Sequence, residues 1–173
     1  NAKKSIVLST FDLRPDDSGT KIIAALYTAA ERGVQVQILI DGIYQKLFLE
    51  KSPVFQALAA HQNIEVGIYN PVTNLMRLNY RMHDKYLIID ESMYLLGGRN
   101  TNDIFLGDKK TRINVDRDIF VYEETQGKGE SLQALEKYFD TIWNEAQVRK
   151  KKKTYAASYD DCLLYTSDAA DDL

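Results

Sequence analysis

The period of the apolar pattern changes twice within the first forty residues, and this constrains the fold more than any other feature of the chain. Residues 5–9 (SIVLS) form a short strand-like run. Ile22, Ile23, Leu26, Ala29 and Ala30 then recur at helical spacing. Val34, Val36, Ile38 and Ile40 next alternate with Gln35, Gln37 and Leu39. A strand, a helix and a strand in succession imply a parallel pair joined by a right-handed crossover. Asp16, Asp17 and Ser18 offer N-cap candidates and negative charge at the helix start, and Gly33 suits the position just past its end. The rhythm continues. Ser52-Pro53 opens a second helix with Val54, Ala57 and Leu58 inward; residues 63–69 resume as a strand, and Asn70-Pro71 breaks it. The expected fold class is α/β, a mixed, largely parallel sheet flanked by helices.

Residues 82–100 (MHDKYLIIDESMYLLGGRN) depart from that rhythm. Tyr86-Leu87-Ile88-Ile89 reads as a strand buried on both faces, Glu91-Ser92 as a tight turn, and Met93-Tyr94-Leu95-Leu96 as the return strand. His83 and Lys85 are two apart, so in an extended chain they share a face. The hairpin brings Asn100 back beside them. Gly97 and Gly98 allow a close backbone approach to a ligand. An imidazole, an ammonium and an amide converging without a carboxylate cluster suit an anionic substrate, most simply a phosphate. The carboxylates elsewhere lack metal-ligand spacing, and the single cysteine, Cys162, excludes a multi-cysteine metal site. No cofactor and no metal are expected.

The pattern His83-x-Lys85, Asp90, Gly97-Gly98-x-Asn100 resembles the HKD motif of the phospholipase D superfamily. Arg81 and Met82 before it, and Arg99 and Asp103 within and after its glycine turn, resemble the first motif of bacterial cardiolipin synthase-like members. The commoner superfamily form has Ser where this chain has Gly98, so a role there rests on the backbone. The resemblance covers roughly residues 3–148. It implies a phosphatidyltransferase or phosphodiesterase in which His83 attacks phosphorus and forms a phosphohistidine. Lys85 and Asn100 would hold the non-bridging oxygens, with Arg81, Arg99, Gly97 and Gly98 contributing to substrate binding. Asp90 completes the motif but faces the other side of its strand and is expected to anchor the hairpin turn through backbone hydrogen bonds. Asp118, or failing that Asp116, is the candidate carboxylate for the second ring nitrogen of His83. His61 reads as a surface residue, and Trp143 and Tyr138 as core.

A displaced alkoxide needs a proton donor. The superfamily supplies it with a second HKD motif, and no second His-x-Lys occurs here. The expected partners are a phospholipid substrate and a second HKD half, in cis or as a homodimer in trans. Residues 1–153 read as a phospholipase D-like half-domain cut short at both ends. A further strand is expected over 115–123. Ser131 should cap a last helix with Leu132, Leu135, Phe139, Ile142, Trp143 and Ala146 on one stripe, ending in the basic run 150–153. Residues 154–173 read as a non-native or disordered tail, 162–172 resembling translated sequencing-adapter read-through. Setting aside the five acids of 154–173 turns the formal charge of −3 into +2. That near-neutral body argues against nucleic acid, the substrate of the alternative reading as a homodimeric endonuclease. A non-catalytic pairing half is the other alternative. By resemblance the setting is the cytoplasm, or the cytoplasmic face of a bacterial membrane.

Overall fold

The structure, a computed structural model, describes residues 1–153 apart from 74–76, 109, 112–113 and 125–126. The expected tail, 154–173, lies outside the described residues. Strand β1 (Ser5–Thr10) leads to helix α1 (Asp17–Glu31) and strand β2 (Gln35–Asp41). A short helical turn, α2 (Gly42–Tyr44), continues as a π-helical turn (Gln45–Leu49) into α3 (Pro53–Ala60) and β3 (Ile64–Tyr69). The hairpin β4 (Tyr86–Ile89) and β5 (Met93–Gly97) follows, then α4 (Asp103–Leu106), β6 (Asp118–Tyr122), α5 (Glu130–Trp143) and β7 (Val148–Lys150).

The sheet runs β6-β5-β4-β1-β2-β3-β7. Only β1–β2 and β2–β3 are parallel; the pairs β1–β4, β4–β5, β5–β6 and β3–β7 are antiparallel. The sheet is mixed as expected, but its parallel part is the three-strand centre. The reason is local for β4 and β5, whose tight turn at residues 90–92 forces antiparallel pairing, while β6 returns beside β5 after the longer excursion that carries α4. Helices α1 and α3 pack on one face through Ile23, Leu26, Val54, Phe55 and Leu58, against Ile6, Leu8, Val36, Ile38 and Ile64. Helix α5 covers the other face with Leu132, Phe139 and Trp143 against Leu39, Tyr86 and Ile88.

The caps account for most boundaries. Asp16 accepts from the Gly19 amide at the start of α1, Ser52 accepts from Phe55 at the start of α3, and Pro53 opens that helix. Gly33 takes φ +90 just past α1. Other expectations shift. Ser131 does not cap α5; Gly129 holds that position, and the Ser131 hydroxyl donates to Glu123. The helix stops at Trp143, and Val148–Lys150 turns back as an edge strand beside β3. Residues 115–117 precede β6 rather than belonging to it. His61 is not a surface residue: its side chain is 7% exposed, bonded to Glu31 at 2.8 Å and set edge-on against Tyr27. Trp143 is core, whereas Tyr138 is half exposed and donates to Asp84.

Candidate active site

The parallel strands β1 and β2 end at Thr10 and Asp41, and β4 begins beside the end of β1, with Ser9 opposite Tyr86. The chain entering β4, residues 81–85, therefore lies at the carboxyl end of the parallel strands, where open α/β sheets hold ligands. Asp41 fixes this entry. Its fully buried carboxylate N-caps α2 at Ile43, accepts from the Met82 amide, and pairs with Arg81 at 3.1 Å. Burial pushes the Asp41 carboxyl up, and the Ile43 amide and Arg81 charge pull against that.

Arg81 was expected at the mouth of the site. Instead its guanidinium is spent on Asp41 and on the carbonyls of Asn70 and Tyr80. These contacts hold the lead-in to His83, and Arg81 is not among the residues lining the cleft that His83 and Lys85 share.

His83 is exposed and Lys85 is buried beside it. The Lys85 ammonium lies 3.0 Å from Nδ1 and 3.2 Å from Nε2 of His83, and donates to the His83 carbonyl at 2.7 Å. An ammonium can only donate and a neutral imidazole has one acceptor nitrogen, so at most one of the two ring nitrogens accepts from Lys85. Burial lowers the pKa of Lys85, while the charges of Asp84 and Asp116 raise it again. Phe11, just past β1, packs on the His83 ring with centroids 4.5 Å apart, and Lys85 Nζ lies 5.4 Å from the centroid of the Phe11 ring. Sequence reasoning passed over Phe11, since one aromatic after a strand carries no spacing signal.

His83, Lys85, Gly98 and Asn100 line one cleft of about 410 Å³ with Phe105, Asn114, Val115 and Asp116. The hairpin thus brings the imidazole, ammonium and amide together. Asn100 Oδ1 is buried without a hydrogen-bond partner among the described residues. The segment after it is tied to the β1–α1 loop: Thr101 N donates to the Asp12 carbonyl, Asn102 Nδ2 to the same oxygen, and Asp103 N to Asp16. Asp103 in turn accepts from Ser18 N.

The glycine pair makes room for two carboxylates. A Cβ at Gly97 would stand 1.8 Å from Asp118 Oδ1, and one at Gly98 would stand 2.0 Å from Asp116 Oδ2. Asp116 therefore fills part of the space a side chain at position 98 would take, and the cleft holds one carboxylate after all. Asp118 was the first candidate to hold His83. It lies instead 3.0 Å from Arg99 Nε, whose hydrogen is not aimed at it, so the contact is coulombic. Arg99 also donates to the Asp116 carbonyl. Asp118 and Arg99 line a second, apolar hollow of about 320 Å³ between α1 and the hairpin, walled by Ile22, Ala25, Leu87 and Leu95. Lys85 lines both hollows.

Asp90 stands apart from both. Its carboxylate accepts from the amides of Lys3, Lys4 and Ser5, at 2.7–3.0 Å. It ties the hairpin turn to the start of β1 through these backbone hydrogen bonds. Among the described residues no group of three His, Cys, Asp or Glu side chains is placed to hold a metal ion.

Residues 1–143 match the family described as "Cardiolipin synthase, PLD-like domain". The chain belongs to this phospholipase D-like family. A cardiolipin synthase of Clostridium perfringens is 34% identical over 145 residues, 84% of this chain and 29% of the relative. Cardiolipin synthase C of Escherichia coli is 30% identical over 133 residues, 68% of this chain and 27% of the relative. The chain thus spans less than a third of these relatives. The crystal structure of Nuc, a phospholipase D family member from Salmonella typhimurium, superposes with a TM-score of 0.62 at 20% identity, covering 88% of this chain and 84% of that one. At that identity the likeness speaks for the fold. The phospholipase D-like domain therefore carries its HKD motif on the hairpin of a family fold.

Proposed function

We propose that this domain is the nucleophile-bearing half of a phosphatidyl-transferring or phosphodiester-cleaving enzyme, of the cardiolipin synthase type. The meeting of His83, Lys85 and Asn100 around one cleft carries this reading. An imidazole nitrogen of His83 attacks phosphorus, a P–N bond forms, and the P–O bond to the leaving alcohol breaks. Lys85 balances the charge growing on the non-bridging oxygens, and the Asn100 amide donates to one of them. The leaving alkoxide takes a proton from the histidine of a second HKD half. That imidazole then accepts the proton of the incoming alcohol or water, whose oxygen displaces His83. A phospholipid donor matches the relatives' names.

The second half is assigned to the outer strands. On β5 and β6, Leu95, Leu96, Ile119, Phe120 and Tyr122 are all exposed, and β6 is an edge strand. Such a two-sided apolar edge calls for a protein partner.

The test is phosphatidyl transfer from phosphatidylglycerol by the domain completed with a second HKD half. His83→Asn should lower turnover at least about a thousandfold, and mass spectrometry of an alkaline-quenched sample should find a phosphoramidate adduct on His83. Full turnover by His83→Asn would overturn the assignment. Activity from a demonstrably monomeric sample of this chain would overturn the need for the second half. Cleavage of plasmid DNA with lipid left untouched would replace the lipid reading by a nuclease.

A further inference from the structure

Between β2 and α3 the chain makes an excursion that the proposed chemistry does not use. Residues 45–49 form a π-helical turn, a wide and uncommon geometry that is frequent at functional sites. Gln45 and Leu49 are buried and hold it to the fold, while Lys46, Leu47 and Phe48 are exposed in a row. Leu47 is 68% exposed. Lys51, just beyond, is exposed as well. A Cβ at Gly42 would meet the backbone of Asn70 and Pro71, so the excursion abuts the loop carrying exposed Arg77 and Tyr80.

Two observations say what this surface faces. First, it is continuous with the active site. Phe48 stacks near Tyr44 at 6.0 Å, Tyr44 meets Phe11 at 4.5 Å, and Phe11 meets His83 at 4.5 Å. Second, its chemistry is mixed in the manner of an interfacial segment. Leu47 projects beside Lys46 and Lys51 while Phe48, 37% exposed, lies behind it against Tyr44, and Arg77 and Tyr80 stand on the neighbouring loop. Glu50, paired with Lys46, is the acid of that excursion. Arg14 lies over the Phe48 ring and is itself bonded to Asp12. Leu and Phe enter the acyl boundary, and Lys, Arg and Tyr remain at the level of anionic headgroups.

We propose that this excursion, with Leu47 at its tip and Phe48 behind it, is the surface by which the domain rests on an anionic lipid bilayer. Contact there brings the bilayer surface to the side of the domain that the rings of Phe48, Tyr44 and Phe11 connect to His83. The inference rests on the phospholipid reading for its purpose, but its test does not depend on turnover.

The full chain is sedimented with vesicles of phosphatidylcholine, with and without phosphatidylglycerol. It should bind those containing phosphatidylglycerol, and Leu47→Glu should weaken that binding about tenfold or more. Because Leu47 is exposed, the variant should melt as the parent does. In Leu47→Trp, the new indole should shift to the blue on vesicle binding and be quenched by brominated lipid, over the fixed signal of buried Trp143. No binding by the parent, undiminished binding by Leu47→Glu, or an unshifted indole each overturns the proposal. His83→Asn should sediment as the parent does. If the completed enzyme leaves phospholipid uncleaved while Leu47→Glu still loses binding, the catalytic reading fails and the surface stands. If cleavage of vesicle lipid proceeds equally in Leu47→Glu, the surface fails and the catalytic reading stands.

Discussion

At the scale of single residues, the cleft is set by which charges surround one lysine. Burial lowers Lys85, and Asp84 and Asp116 support its ammonium. In the proposed reaction Lys85 acts protonated, so activity should fall on the alkaline side below the value of about 10.4 usual for a free lysine. Asp116→Asn removes a supporting charge and should move that limb to lower pH still. A pH–rate profile of the completed enzyme checks this, and an unmoved limb would show that Asp116 is not coupled to the site. Gly98→Ser restores the commoner side chain of the superfamily, but its Cβ would meet Asp116 Oδ2. It should therefore displace that carboxylate and move the alkaline limb to lower pH in the same way, and combining it with Asp116→Asn should add little. His83, Lys85 and Asn100 were legible in the sequence because their spacing is a property of a hairpin. Asp116 was named only as a lesser candidate for His83. Its actual place, against the Cα of Gly98, depends on a loop whose path no local rule predicts.

At the scale of elements, two carboxylates outside the cleft hold its pieces. Asp41→Ala would strand the mostly buried Arg81 guanidinium and release the Met82 amide. The expected cost is about 3 kcal/mol or more, read from denaturant unfolding. Asp90 ties the β4–β5 turn to β1, and both Asp90 and Glu91 sit in the left-handed region, at φ 54 and 52. Burial works to raise its carboxyl, but the amides of Lys4, Ser5 and Lys3 outweigh it and the net shift is downward. A depressed carboxyl contributes stability that is complete above the unfolded value of about 3.9 and fades as pH falls through the folded one. Asp90→Asn should cost about 1 kcal/mol at neutral pH, and its stability should depend less steeply on pH below 4 than the parent's. Equal acid limbs would contradict this. The strand–helix–strand unit was readable because period and caps agree there. Strand β7 was not. Three residues after a helix carry too little pattern, and what pairs them to β3 is tertiary: Trp143 packing against Gly67 and Val148.

At the scale of the whole molecule, the two ends of the sheet differ. The β3–β7 edge is short and basic, whereas the β5–β6 edge carries apolar side chains on both faces. Phe120→Asp, at 63% exposure, should leave the melting temperature of the isolated chain within a few degrees and abolish assembly with a second half, as read by sedimentation. Undiminished assembly would move the interface elsewhere. The sequence led to the proposal of a second half, since a leaving group needs an acid and the chain holds one His-x-Lys. It gave no hint of where the completing half docks, because exposure of Phe120 or Ile119 is decided by what fails to cover them.

The anchoring of Asp90 on the first residues has a practical corollary. Three successive amides, those of Lys3, Lys4 and Ser5, are gripped by the turn of the same hairpin whose other end carries the lysine of the cleft. A purification tag or fusion partner joined directly at residue 3 would tug on that grip. An expression boundary placed downstream of Ser5 would cut the tether, leaving a hairpin free to fray from its tip toward its chemistry.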